Sequence, residues 1–194
     1  MEFVLDLLQG AGIAAAIGIR PFLPVLLAGA LAAANVGLDF DGTSFAFLEQ
    51  WPFLLGILVL VAVIDMVLRR RADLDVPPYM WLLLAIAVTL GALEAAGSLA
   101  DHDHPVLAGV VVGIAAAALG FFATRSLFGR VRRRLDPEAQ AALPIYGEGA
   151  ALLAAGASIL FPPLAILVIA GLAWLLAGGR RREGEKYAGL RILR

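Results

Sequence analysis

What most constrains this chain is how its basic residues divide its apolar runs. Fourteen of the fifteen Lys and Arg residues fall in three clusters, Arg69 to Arg71, Arg125 to Arg134 and Arg180 to Arg194. The fifteenth, Arg20, stands alone inside an apolar stretch. The runs between clusters are long enough for helices that cross a hydrocarbon core of about 30 Å, which takes roughly 20 residues each. Composition agrees: 61% of residues are hydrophobic and 16% charged, against about 45–50% and about 25% in soluble domains. The sequence therefore predicts an all-α, polytopic integral membrane helical bundle. A net charge of −1 argues against a nucleic-acid partner. The absence of cysteine excludes disulfides, thiolate metal sites and cysteine nucleophiles.

Residues 38–52 and 98–104 carry the acids Asp39, Asp41, Glu49, Asp101 and Asp103 and no Lys or Arg. The positive-inside rule puts the basic clusters in the cytoplasm and these two loops outside. Spans at 51–68, 78–100 and 105–124 follow directly. Residues 3–37 and 145–179 are longer, 35 residues each, or about 52 Å as straight helices, too long for a single crossing. Each breaks at prolines, at Arg20-Pro21 through Pro24 and at Phe161-Pro162-Pro163, where the helical hydrogen bond is lost. Both are read as Pro-broken helical hairpins at opposite ends of the chain, with a site expected where their tips approach. This organisation gives one transmembrane domain over 1–194 in an inner (plasma) membrane, with the N-terminus outside and a cytoplasmic basic tail at 180–194. Residues 125–144 read as a cytoplasmic interfacial segment, with Asp136-Pro137 starting a second short helix. Its Arg130, Arg132, Arg133 and Arg134 are expected to meet anionic lipids of the bilayer. Gly109 and Gly113 form a GxxxG pattern, suited to central packing within the subunit or, alternatively, to a homo-oligomer contact.

Arg20 is the first candidate for chemistry. With Pro21 opening a new helix beside it, it fits a small-anion site. A cytoplasmic turn would equally account for its charge. Intramembrane acids are functional candidates by default. Glu94, among small residues, and Glu148, between two glycines, join Arg20 and Pro21 as substrate-binding candidates. Asp65, four residues before Arg69, reads as a structural or coupling acid. Two apparent motifs carry little. Asp39-Phe40-Asp41-Gly42-Thr43 resembles a phosphatase nucleophile motif but lacks the surrounding α/β domain. Asp101-His102-Asp103-His104 holds ligand types, yet four adjacent residues cannot all converge on one ion. The segment reads as a solvated loop, with opportunistic divalent binding as the minority alternative, and no metal and no cofactor is expected.

At Gly18-Ile19-Arg20-Pro21-Phe22-Leu23-Pro24 the chain resembles the membrane-protein family catalogued as domain of unknown function 4126. Asp65, the acidic Pro-containing loop with Asp73, Asp75 and Pro77, and the Glu-bearing C-terminal segment with its Pro break and basic tail extend the resemblance. The family's usual Asp-Lys pair before Ile-Pro is replaced here by Asp75-Val76-Pro77, so no role for that Lys carries over. The resemblance implies an architecture, not a reaction. The expectation is a small helical transporter, channel or lipid-translocating protein for a small anion or phosphate-bearing head group. The alternative is a non-catalytic structural or assembly partner in the membrane. No nucleophile–base pair or clustered acid–histidine set speaks for an enzyme.

Overall fold

The computed structural model describes residues 2–69, 77–102 and 104–188, without the side chains of 65–69, 77–78, 137 and 179–188. Among the described residues all regular structure is helical. The helices are α1 (Glu2–Ile19), α2 (Phe22–Ala32), α3 (Trp51–Arg69), α4 (Pro77–Ala100), α5 (Val106–Arg132), α6 (Pro137–Leu160) and α7 (Leu164–Ala188), with a 3-10 turn at Ala46–Leu48. Over the described residues, α1, α4, α5 and α6 are long and apolar enough to cross a membrane, and α3 and α7 are shorter apolar helices over Trp51–Ile64 and Leu164–Gly178. The outward faces are also apolar: Trp51, Leu107, Leu153, Leu167 and Trp174 are all exposed. Such a surface suits a lipid surround rather than water.

The centre of the bundle is α1, which packs on α4, α5, α6 and α7. Its residues from Ile13 to Ile17 are completely buried. Close approach rests on small residues. A methyl group at Gly113 would sit 2.5 Å from the Gly91 carbonyl oxygen and 2.9 Å from the Ala92 Cα. Gly18 likewise lies against the Ala117 carbonyl of α5. Where lipid competes for apolar surface, such backbone-to-backbone packing supplies the association energy. Gly109 and Gly113 are both spent on α4 of the same chain, so a homo-oligomer contact through them would require α4 to leave.

Helix breaks stand at both predicted positions, after Ile19 and at Phe161–Pro163. The arms do not simply pair with each other, however: α2 lies mainly on α6, and α7 mainly on α5. The two break points also lie at different levels of the bundle, one beside the middle of α1 and the other at its end, about 12 Å apart by helical rise. Gly12 meets Ser158 and Ala165, which flank the second break, while Arg20 faces Gly147. The expected meeting of the two tips therefore does not occur, because antiparallel packing of α1 on α6 sends them apart.

Two boundaries also differ from the sequence reading. Helix α5 continues unbroken to Arg132, and α6 begins at Pro137, carrying Pro144 inside it. The 125–144 segment is thus the end of one bundle helix and the start of the next. Asp136 caps α6 by accepting a hydrogen bond from the Ala139 N–H at 2.8 Å. The segment after α2 is not a plain surface loop either. Leu38, Phe40 and Leu48 sink into the core, and Gly37 turns the chain at φ 75° over Ile159. Gln9 fastens this turn by donating to the carbonyls of Gly37 (2.6 Å) and Ile159 (3.0 Å).

Candidate functional site

The break after α1 opens on a cavity of about 260 Å³, near the lower end of ligand-site volumes of about 300–1,000 Å³. It is walled by Gly18 to Phe22 from the break, Val61 and Ile64 of α3, Leu83 of α4, one stripe of α5, and Glu148 of α6. The α5 stripe is Phe121, Thr124, Arg125, Phe128, Gly129 and Arg132. Its spacing of i, i+3, i+4, i+7, i+8, i+11 is one face of a helix. Arg20, Arg125 and Arg132 thus converge on one space, and Glu148 is the acid among the described lining residues.

Arg20 is only partly engaged there. Its Nε lies 3.7 Å from Glu148 Oε1, an ion pair too long for a hydrogen bond. That Nε is buried with no hydrogen-bond partner among the described residues. The side chains of Arg20 and Glu148 are 29% and 36% exposed, so this is neither a solvated surface pair nor a sealed one. Arg125 lies over the Phe121 ring, 5.3 Å from its centroid, which fixes the guanidinium in place. Helix α2 starts at the cavity wall, and no side chain caps its first turn. Unsatisfied N–H groups at such a helix start add positive potential. A planar guanidinium with spare donors beside a helix N-terminus suits an oxyanion.

Arg20 follows Asp6 by fourteen residues, about 21 Å of helical rise. It is therefore well beyond the middle of the bundle, toward the end that carries Arg125 and Arg132. Helix α5 runs past it to Arg132, and α6 begins before it at Pro137. The cavity is recessed between those two overhangs.

Of the predicted site residues, Arg20, Pro21 and Glu148 come together at this cavity. Glu94 does not line it. It is fully buried in α4, and neither of its carboxylate oxygens has a hydrogen-bond partner among the described residues. The side chain of Asp65 lies outside the described residues, as do Asp73, Asp75 and the tail beyond Ala188. Sequence reasoning missed Thr124, Arg125 and Phe128, which it had assigned to a span end and an interfacial segment. Their helical spacing with Arg132 was the available signal. Within the second basic cluster, Arg130 donates to Ser126 Oγ (2.8 Å) and to the Leu175 carbonyl of α7 (3.3 Å). Beside it a second cavity of about 230 Å³ is lined by Arg130, Arg134 and Trp174.

No curated protein matches this chain, and no solved structure does. A family model described as "Domain of unknown function (DUF4126)" matches residues 7–182, and the chain belongs to that family.

Proposed function

We propose that this is a multi-pass membrane protein that binds a small anion or phosphate-bearing head group in the arginine-walled cavity and moves it across the bilayer. The observation that carries this reading is the convergence of Arg20, Arg125 and Arg132 on a recessed cavity where the Arg20 Nε lacks a hydrogen-bond partner. Glu148 serves as an internal stand-in for the anion. It holds Arg20 loosely when the cavity is empty and yields it when an oxyanion offers shorter, charge-assisted hydrogen bonds. The basic end faces the cytoplasm, by the positive-inside rule. Anionic lipid head groups gather at Arg133 and Arg134, with Arg130 and Arg132 behind them. Glu94 is the coupling acid, since buried intramembrane carboxyls mark ion and proton pathways.

Reconstitution in liposomes tests the reading. Flux of inorganic phosphate, other small anions and fluorescent phospholipid is measured for wild type, Arg20→Gln, Glu148→Gln and Glu94→Gln. Wild type is expected to exceed empty liposomes, and Arg20→Gln to lose at least about tenfold, the cost of about 1.4 kcal/mol for a charged hydrogen bond. Absence of flux above empty liposomes in every assay, with folded protein, would leave the membrane-assembly role in its place.

A further inference from the structure

The opposite, acidic end of the bundle holds a constellation that anion handling does not use. The chain has two histidines, and both reach the same oxygen of a residue distant in sequence. His102 Nδ1 is 3.3 Å and His104 Nε2 is 3.5 Å from Asp6 Oδ2, which α1 delivers to the α4–α5 turn. Asp101 Oδ2 lies 3.8 Å from the same His102 nitrogen. The Asp6 side chain is only 10% exposed. Both Asp6 Oδ2 and His104 Nε2 are shielded from solvent without a hydrogen-bond partner among the described residues. Two sheltered polar atoms that face each other and satisfy neither call for a third species between them.

Spacing to Asp6 and donor type together identify its class. Ligand atoms about 2.0–2.1 Å from a tetrahedral ion lie about 3.3–3.4 Å from one another. The two contacts to Asp6 are close to that length, whereas the two histidine nitrogens lie more than 4.8 Å from each other. The imidazole centroids are 6.4 Å apart, whereas sharing a tetrahedral ion brings them to about 5 Å. His104 is fixed by the edge-on ring of Phe3 at 5.2 Å. His102 is half exposed and supplies the movement. Asp101 or water takes the fourth position. Asp39 stands near enough to interact with Asp101, and residues 38–52 and 98–104 contain no Lys or Arg, so the local field draws cations. Imidazole pairs favour zinc, copper, nickel and cobalt, whereas calcium and magnesium take oxygen ligands.

We propose that Asp6, His102 and His104 form a binding site for a first-row divalent ion of the zinc class, tying the start of α1 to the α4–α5 turn. Adjacency along the chain argued against convergence of Asp101 to His104 on one ion; α1 removes that objection by bringing a carboxylate from elsewhere.

The test uses the tag-free full chain in lipid nanodiscs, titrated with Zn2+ by calorimetry and with Co2+ by visible absorption. Wild type is expected to take up a single Zn2+, to show four-coordinate Co2+ bands that Zn2+ but not Ca2+ abolishes, and to gain thermal stability with Zn2+. Asp6→Asn and the double variant His102→Gln/His104→Gln should each bind about tenfold more weakly or worse. His102→Gln alone, at a half-exposed position, keeps the test open if Asp6→Asn does not fold. Arg20→Gln should bind Zn2+ as wild type does, which separates this site from the anion cavity. Wild type without saturable Zn2+ uptake, or uptake untouched by His102→Gln and by the double variant, overturns the proposal.

Discussion

Gln9 shows how much one polar side chain can carry in an apolar bundle. Its two N–H groups satisfy the carbonyls of Gly37 and Ile159, and its oxygen faces the Ser98 hydroxyl at 3.1 Å. Replacing it with Leu strips a donor from two carbonyls, at about 1–3 kcal/mol for each left unsatisfied. Gln9→Leu should lower the thermal midpoint in detergent well beyond an exposed substitution such as Leu153→Gln. Neither Gln9 nor its partner Ser98 was singled out from sequence, since a lone amide or hydroxyl in an apolar helix has no distinctive pattern. The signal lies in pairs: Asp6 and Gln9 at i, i+3 on α1, Glu94 and Ser98 at i, i+4 on α4. Glu49 makes a second residue-scale prediction. Burial pushes its carboxyl up, Asp41 and Asp39 add to the rise, and the Phe40 N–H at 3.3 Å opposes it. A raised acid stabilises the fold below its unfolded value, about 4.3, and that contribution fades as pH climbs through the raised folded value. Thermal midpoints measured from pH 4 to 7 should therefore decline more steeply in wild type than in Glu49→Gln.

At the scale of helices, sequence was a good guide to where a helix must stop and a poor one to where it continues. Prolines and a capping aspartate are local instructions, so the breaks after Ile19 and Leu160 and the start of α6 at Asp136 were legible. The run of α5 past residue 124 was not. Arg125 to Arg132 read as the point where the chain leaves the bilayer, but no proline interrupts that stretch. Helical hydrogen bonding continues irrespective of which solvent the side chains meet. Small residues on α4 and α5 were recognised as packing residues, and their geometry supplies a matched test. Gly113→Val drives a branched side chain into the α4 backbone and should cost about 1–3 kcal/mol. Gly171→Ala in α7, with nothing within 4 Å of an added methyl, should leave stability unchanged or raise it by up to about 1 kcal/mol. Denaturation in mixed micelles compares the two.

The whole molecule is polarised. Arginines and a recessed cavity occupy one end, and aspartates with two histidines occupy the other. The sorting of charge by loop anticipated these two ends, and of Arg20, Pro21, Glu94 and Glu148, grouped from sequence, all but Glu94 line one cavity. What could not be read was depth: a proline marks a break but not the level at which neighbouring helices hold it. Hence the two tips, expected to meet, stand apart, and Glu94 lies away from the cavity it was grouped with. The central place of α1 has a further consequence, for biogenesis. Its partners on α4, α5 and α6 come much later in the chain, and the Gln9–Ile159 hydrogen bond spans 150 positions. At about 5–20 residues per second, α1 waits roughly 8–30 s during synthesis before α6 exists to receive it. Asp6 and the Gln9 oxygen are met partway through that interval, once His102, His104 and Ser98 have been made, while the Gln9 amide waits for Ile159, so α6 is the last of its partners to arrive.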